Sequence, residues 1–146
     1  MKSEQELWTR LRRHMQGHWD APRHEDSITS WTPDVSWGAR GINGWLELKV
    51  IPNRPKDPHK PHKVVPIDLR SAQRVFLKNR SEQGGPCGIL VYVQKTKEYI
   101  LFSNPMDFIG LGKTYTQLDW LVNCTMHMTT LVDPEVLLNF FTHQGV

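Results

Sequence analysis

Thr32-Pro33-Asp34-Val35-Ser36 and Gly44-Trp45-Leu46-Glu47-Leu48-Lys49-Val50 flank one short connection and bring two acids and a base close together in the chain. In an extended segment side chains alternate, so Leu46, Leu48 and Val50 share one face and Trp45, Glu47 and Lys49 the other. Residues i and i+2 of a strand stand roughly 6.5–7 Å apart, so Glu47 and Lys49 can reach a single phosphate. Asp34 approaches from the preceding strand with a second carboxylate. The connection Gly38-Ala39-Arg40-Gly41-Ile42-Asn43-Gly44 is rich in glycine and suits the turn of an antiparallel hairpin. Two converging carboxylates with Lys49 as the nearby cation repel each other unless a divalent metal sits between them. Mg²⁺, or Mn²⁺ in its place, takes one or two such oxygen ligands and completes its shell with water and substrate phosphate. The chemistry this set supports is phosphodiester hydrolysis: the metal acidifies water and neutralises phosphate charge, while Lys49 orients or deprotonates the water. A half-exposed strand whose outer face merely reads Glu then Lys is the ordinary competitor, and E-x-K alone does not exclude it.

The wider order of residues is more specific. P-D-x(12)-E-x-K, with Arg23-His24-Glu25-Asp26 upstream and a helix carrying Gln73 downstream, resembles the PD-(D/E)XK nuclease superfamily. Within it the wording is similar to small phage-encoded nucleases, and through them to virus-type replication-repair nucleases and Holliday junction resolvases. The resemblance spans about residues 4–103. It implies an α/β fold with a restriction-endonuclease-like core, a mixed central sheet flanked by helices, and a C-terminal helical extension over about 104–146. It also implies that Asp34, Glu47 and the Leu48 carbonyl hold the metal, with Lys49 serving the water and Gln73 assisting. A further acid is usual in the family, and two candidates exist. Glu25 matches the phage nuclease pattern and is preferred; Glu4, on the first helix, matches the resolvase pattern.

The elements that must position these groups are legible in part. Glu4, Leu7, Trp8, Leu11 and Met15 recur at helical spacing and share a face. After Lys49, the stretch from Ile51 to Pro66 holds five prolines, so it is extended and not helical. Arg54, Lys56, Lys60, Lys63, Arg70, Arg74, Lys78 and Arg80 face only Asp57 and Asp68 between Arg54 and Arg80. We read the first half as a basic flap along a nucleic-acid backbone, with the salt dependence such contacts bring. A helix over about Arg70–Glu82 then turns Ala72, Val75, Phe76 and Asn79 inward and carries Arg70, Arg74 and Lys78 along one side. Gly88–Val93 reads as a buried strand and Tyr99–Phe102 as its hairpin partner across Lys95-Thr96-Lys97-Glu98. Gly110-Leu111-Gly112-Lys113-Thr114 lacks the first glycine of a phosphate-binding loop, because that position is Asp107. Asp133-Pro134-Glu135 starts a helix whose Leu137, Leu138, Phe140 and Phe141 either cover the sheet or form a subunit interface.

Composition bounds the rest. At 146 residues with a net charge of +3, one domain is expected, 1–146. No apolar run reaches membrane length and no signal peptide is seen, so a cytoplasmic protein without a membrane partner is expected. Cys87 and Cys124 sit among apolar neighbours and read as free thiols. The leading functional expectation is a metal-dependent endonuclease on double-stranded or branched DNA, Holliday junctions included, in phage replication, recombination or repair. Arg23, Arg40 and the basic flap would grip the backbone. Cutting both strands needs two sites, which a homodimer supplies, and a tetramer is also open. The alternatives are a homing or restriction-type endonuclease reading bases with Arg40 and Asn43, and a non-cleaving nucleic-acid-binding module. The last is weakened by clustered acids that repel phosphate.

Overall fold

A computed structural model of the chain describes residues 3–21, 34–54 and 63–142; the expectations placed on Arg23, Glu25, Lys56 and Lys60 lie outside the described residues. Helix α1, Glu4–Met15, begins at Ser3, whose hydroxyl accepts the Glu6 N–H at 3.2 Å. Glu4 and Glu6 stand at its positive end and Arg12, Arg13 and His14 at its negative end, as the helix dipole favours. Its buried stripe is the expected one, Leu7, Trp8, Leu11 and Met15.

Strands β1, Val35–Ala39, and β2, Ile42–Ile51, form the hairpin, with Val35 opposite Leu46 and Ala39 opposite Ile42. The turn is only Arg40-Gly41, both with positive φ (55° and 74°), the two-residue form whose twist matches paired strands. The strands therefore consume most of the connection read from the sequence. Gly44 serves a close approach: a Cβ there would lie 2.3 Å from the Trp37 ring and 2.7 Å from the Pro86 carbonyl.

Strand β2 pairs in parallel with β3, Cys87–Val93, and the crossover runs through residues 63–70 and helix α2, Ser71–Glu82. Val65, Ile67 and Leu69 alternate inward and are buried, so residues 63–70 form a strap packed into the core; residues 55–62 of the expected flap lie outside the described residues. Strand β4, Glu98–Phe102, follows β3, and β5, Met126–Met128, completes the order β1-β2-β3-β4-β5, antiparallel except at β2–β3. Helices α3, Asp107–Gly110, and α4, Gln117–Asn123, lie between β4 and β5, and α5, Pro134–Thr142, comes last. Strand β3 is buried along its whole length, as expected of a strand covered on both faces.

Two apolar clusters lie on opposite faces of the sheet. One joins Leu7, Leu11 and Met15 of α1 and Leu137, Leu138 and Phe141 of α5 to Leu46, Leu48, Leu90 and Leu101. The terminal helix thus covers the sheet. The other joins Leu77 of α2, the strap, Phe108 of α3 and Trp120 of α4 to Ile51, Ile89, Val91 and Phe102. Cys87 and Cys124 carry free thiols. Among the described residues no helix is long and apolar enough to cross a membrane.

Helix α2 is rotated relative to its sequence reading. Gln73, Arg74, Leu77 and Ser81 point inward, whereas Val75 is 54% exposed. Arg74 explains the rotation. Only 4% exposed, its guanidinium donates to the Leu69, Phe108, Ile109 and Leu111 carbonyls, fastening strap and helix to α3. Burial pulls its pKa below the ordinary arginine value. Arg54, also 4% exposed, donates to Glu98 at 3.1 Å, and His127 and Thr96 share that carboxylate. Neither arginine is available to a DNA backbone, which corrects the reading of both as surface cations. Arg74→Met should leave those carbonyls unmatched and lower unfolding free energy by about 2–4 kcal/mol. Urea denaturation checks this, and an unchanged midpoint would show that the anchor is dispensable.

Candidate active site

The hairpin register decides where the acids go. Val35 pairs with Leu46, so Asp34, one residue ahead of β1, comes level with Glu47. Side chains directly opposite in an antiparallel pair have Cβ atoms about 4.5–5.5 Å apart, and like charges there repel. Asp34 Oδ2 accepts the Leu48 N–H at 3.1 Å, a backbone donor lying beyond the last β1 partner. That bond holds the aspartate against β2. Trp45 and Ile51 of the same alternating set belong with the α2-side cluster, so Glu47 and Lys49 face α2.

Glu47 is 2% exposed, and its Oε2 has no hydrogen-bond partner among the described residues. Burial raises its pKa first, then the hydrogen bond and negative charge of Asp34; the cations Lys49 and Arg70 oppose the shift, which still carries it to about 9. At neutral pH and without a cation the glutamate is therefore protonated, its proton shared toward Asp34.

Lys49 is half-buried beside this pair, and Arg70 enters from the start of α2. Gln73 is buried, and its Oε1 accepts the Arg70 N–H at 3.3 Å, so it caps the helix instead of standing free. Asp34, Glu47, Lys49, Arg70 and Gln73 are thus brought to one end of the sheet. Glu4 is not: among the described residues no third His, Cys, Asp or Glu joins Asp34 and Glu47. Arg40 is spent on α5, donating to Asn139 Oδ1 at 2.6 Å and to Glu135, whose pKa that contact and His18 lower. Lys78 pairs with Glu82 at 2.6 Å, while Asn43 and Lys63 are exposed. Sequence reading placed Arg70 at the start of the helix as a DNA-binding cation, without bringing it to the acids, and placed Glu98 in a turn.

The sequence matches no family model and no curated protein. Among solved structures, the chain is similar to a Holliday junction resolvase, Hjc, from Archaeoglobus fulgidus. The two superpose with a TM-score of 0.53 at 17% identity, over 94% of this chain and 98% of that one. The fold is that of the resolvase. Because the match runs over 94% of the chain, the resolvase fold reaches well past residue 103, where resemblance in sequence fades.

The raised pKa of Glu47 is also a statement about stability. The folded state holds this proton more tightly than the unfolded chain, so the contribution is complete below the ordinary value of 4.5 and is lost as pH rises through about 9. Glu47→Gln removes the titration and leaves the rest in place. The stability of the variant relative to wild type should therefore grow with pH, by at most about 1.4 kcal/mol per pH unit in that window. Metal-free urea unfolding from pH 5 to 9 checks it; parallel profiles would mean that Glu47 titrates normally.

Proposed function

We propose that this chain is a divalent-metal-dependent endonuclease that hydrolyses phosphodiester bonds in branched DNA, four-way junctions above all. The observation that carries this reading is the Asp34–Glu47 cross-strand pair, with a buried glutamate oxygen left without a partner beside Lys49. Isolated carboxylates are not placed this way for stability, because the arrangement raises one pKa and strands an oxygen. The likeness in fold to a Holliday junction resolvase supports the substrate class.

The donor set fits a hard cation: the Asp34 and Glu47 carboxylates and the Leu48 carbonyl would hold Mg²⁺ or Mn²⁺, with Glu25 as the additional acid. When bound, the metal supplies Lewis-acid stabilisation of phosphate charge and makes water more acidic. The chain's own residues do the rest. Asp34, pinned by the Leu48 N–H, fixes the position of the pair. Lys49 orients the attacking water and faces charge building on the phosphate. Water adds to phosphorus as one P–O bond to sugar breaks; the water loses a proton to solvent and the leaving oxygen gains one. Gln73 assists by fixing the start of α2.

Lys63 and Asn43, with Arg23, Lys56 and Lys60, are the backbone contacts of this reading. Commitment of Arg40 to α5 weakens the sequence-selective alternative, which needs it at a base edge. Two strands need two sites, so the working unit is a homodimer, acting in the cytoplasm during phage replication, recombination or repair.

Lys49→Ala should still bind a labelled four-way junction within about threefold of wild type, yet cut it at least about 100-fold more slowly with Mg²⁺ or Mn²⁺. Cleavage and gel-shift assays on a junction, a flap and linear duplexes check this. A variant that cuts as fast as wild type would sink the assignment. Cutting of one fixed linear sequence would favour the sequence-selective reading.

A further inference from the structure

Three of the six basic residues between Arg54 and Arg80 that the structure describes are already committed. Arg54 belongs to Glu98, Arg74 to four backbone carbonyls, and Lys78 to Glu82. Arg70 differs. It is exposed, and among the described residues no ion pair or hydrogen bond holds its guanidinium. Its backbone, in contrast, is fixed from several sides. Its N–H donates to Gln73 Oε1 at 3.3 Å, its carbonyl accepts the Arg74 N–H at 3.1 Å, and the buried Leu69 before it accepts from the Arg74 side chain at 3.3 Å. Helix α2 packs on the sheet face to which Glu47 and Lys49 point.

We propose that Arg70 is a catalytic residue, a second cation that contacts the non-bridging oxygens of the scissile phosphate opposite Lys49. The proposal rests on the nuclease reading and deepens it: Arg70 moves from the general grip on DNA to the reacting group. The Trp45 ring of β2 meets the Phe76 ring of α2 edge-on, centroids 5.2 Å apart, and the crossover helix runs back against the direction of β2, so its start at Arg70 comes level with Glu47 and Lys49. An arginine presents a planar fork of donors that matches two oxygens of one phosphate, whereas lysine offers a point charge. A guanidinium that no described residue holds, on a fixed backbone, is the arrangement such a contact requires. The flanking Gln73 and Arg74 are positioning residues in this account, because they act through the backbone of Arg70.

The test compares wild type, Arg70→Ala, Arg70→Lys and, as a cation from the outer face of the same helix, Arg80→Ala. Single-turnover cleavage of a four-way junction is measured with saturating protein and Mg²⁺, and junction affinity separately with Ca²⁺. Thermal unfolding of each protein establishes that it is folded. Arg70→Ala should slow cleavage about 100-fold at saturation while the dissociation constant rises less than about threefold. Arg70→Lys should recover part of the rate, and Arg80→Ala should cut like wild type. A loss that disappears at saturating protein would make Arg70 a binding contact only and overturn the proposal, as would an Arg70→Ala protein that cuts at the wild-type rate. Either result leaves the nuclease reading standing. Wild-type protein that cuts no DNA with Mg²⁺ or Mn²⁺ overturns the nuclease reading itself, and the role of Arg70 with it.

Discussion

Everything in the candidate site depends on one cross-strand pair, Asp34 opposite Glu47. A hairpin with this register forces two carboxyl groups together whatever else the protein does, and the neighbouring elements determine how that repulsion is met. The Leu48 N–H takes one aspartate oxygen, and protonation of Glu47 removes one charge. Lys49 and Arg70 oppose what remains. The two-residue turn at Arg40-Gly41 sets the register, so the geometry of the acids is decided by a backbone conformation at the far end of the hairpin. Shifting the pairing by one residue would put Glu47 and Lys49 on the face now filled by Leu46 and Leu48, and no acid pair would survive.

A second constraint is the parallel pairing of β2 with β3, which requires a crossover through residues 52–86. Two buried arginines fix it, Arg54 where it leaves β2 and Arg74 where it enters α2. Buried cations are costly unless their donors are matched, and here the carbonyl ends of α3 and the Glu98 carboxylate match them. The compensation is incomplete at Arg54 Nε, which has no partner among the described residues. The reward is positional: with Leu69 and Arg74 fixed, α2 starts in one place, and Arg70 and Gln73 come with it.

Much of this was legible in the sequence, for identifiable reasons. Strict alternation in Leu46–Val50 and helical spacing in α1 are periodic signals that tertiary context did not override, and the acid pair follows from the hairpin they define. The helix from Pro134 was announced by its cap and proline. The face of α2 was not legible. Ala72, Val75, Phe76 and Leu77 scatter their apolar surface around the helix, so no stripe outweighed the carbonyls awaiting Arg74. Charge type misled for the same reason: an arginine looks alike whether it meets water or a buried Glu98. Strand β5 has three residues and short α3 and α4 precede it, lengths at which periodicity carries little information.

The electrostatics of the site also bear on how a phosphate would approach. With Glu47 protonated, the described groups at the site are one carboxylate, Asp34, and two cations, Lys49 and Arg70, so the entrance attracts an anion despite its acids. Ionising Glu47 makes the same place neutral and ready for a cation. Under the nuclease reading, a divalent ion and a phosphate therefore do not compete for one charge. Glu47 would hold such an ion only after giving up its proton, and Lys49 and Arg70 would remain to meet a phosphate from the α2 side. Burial of Glu47 is what makes this exchange possible. The same carboxyl on the exposed edge of the hairpin would be ionised at neutral pH and would find no proton to release.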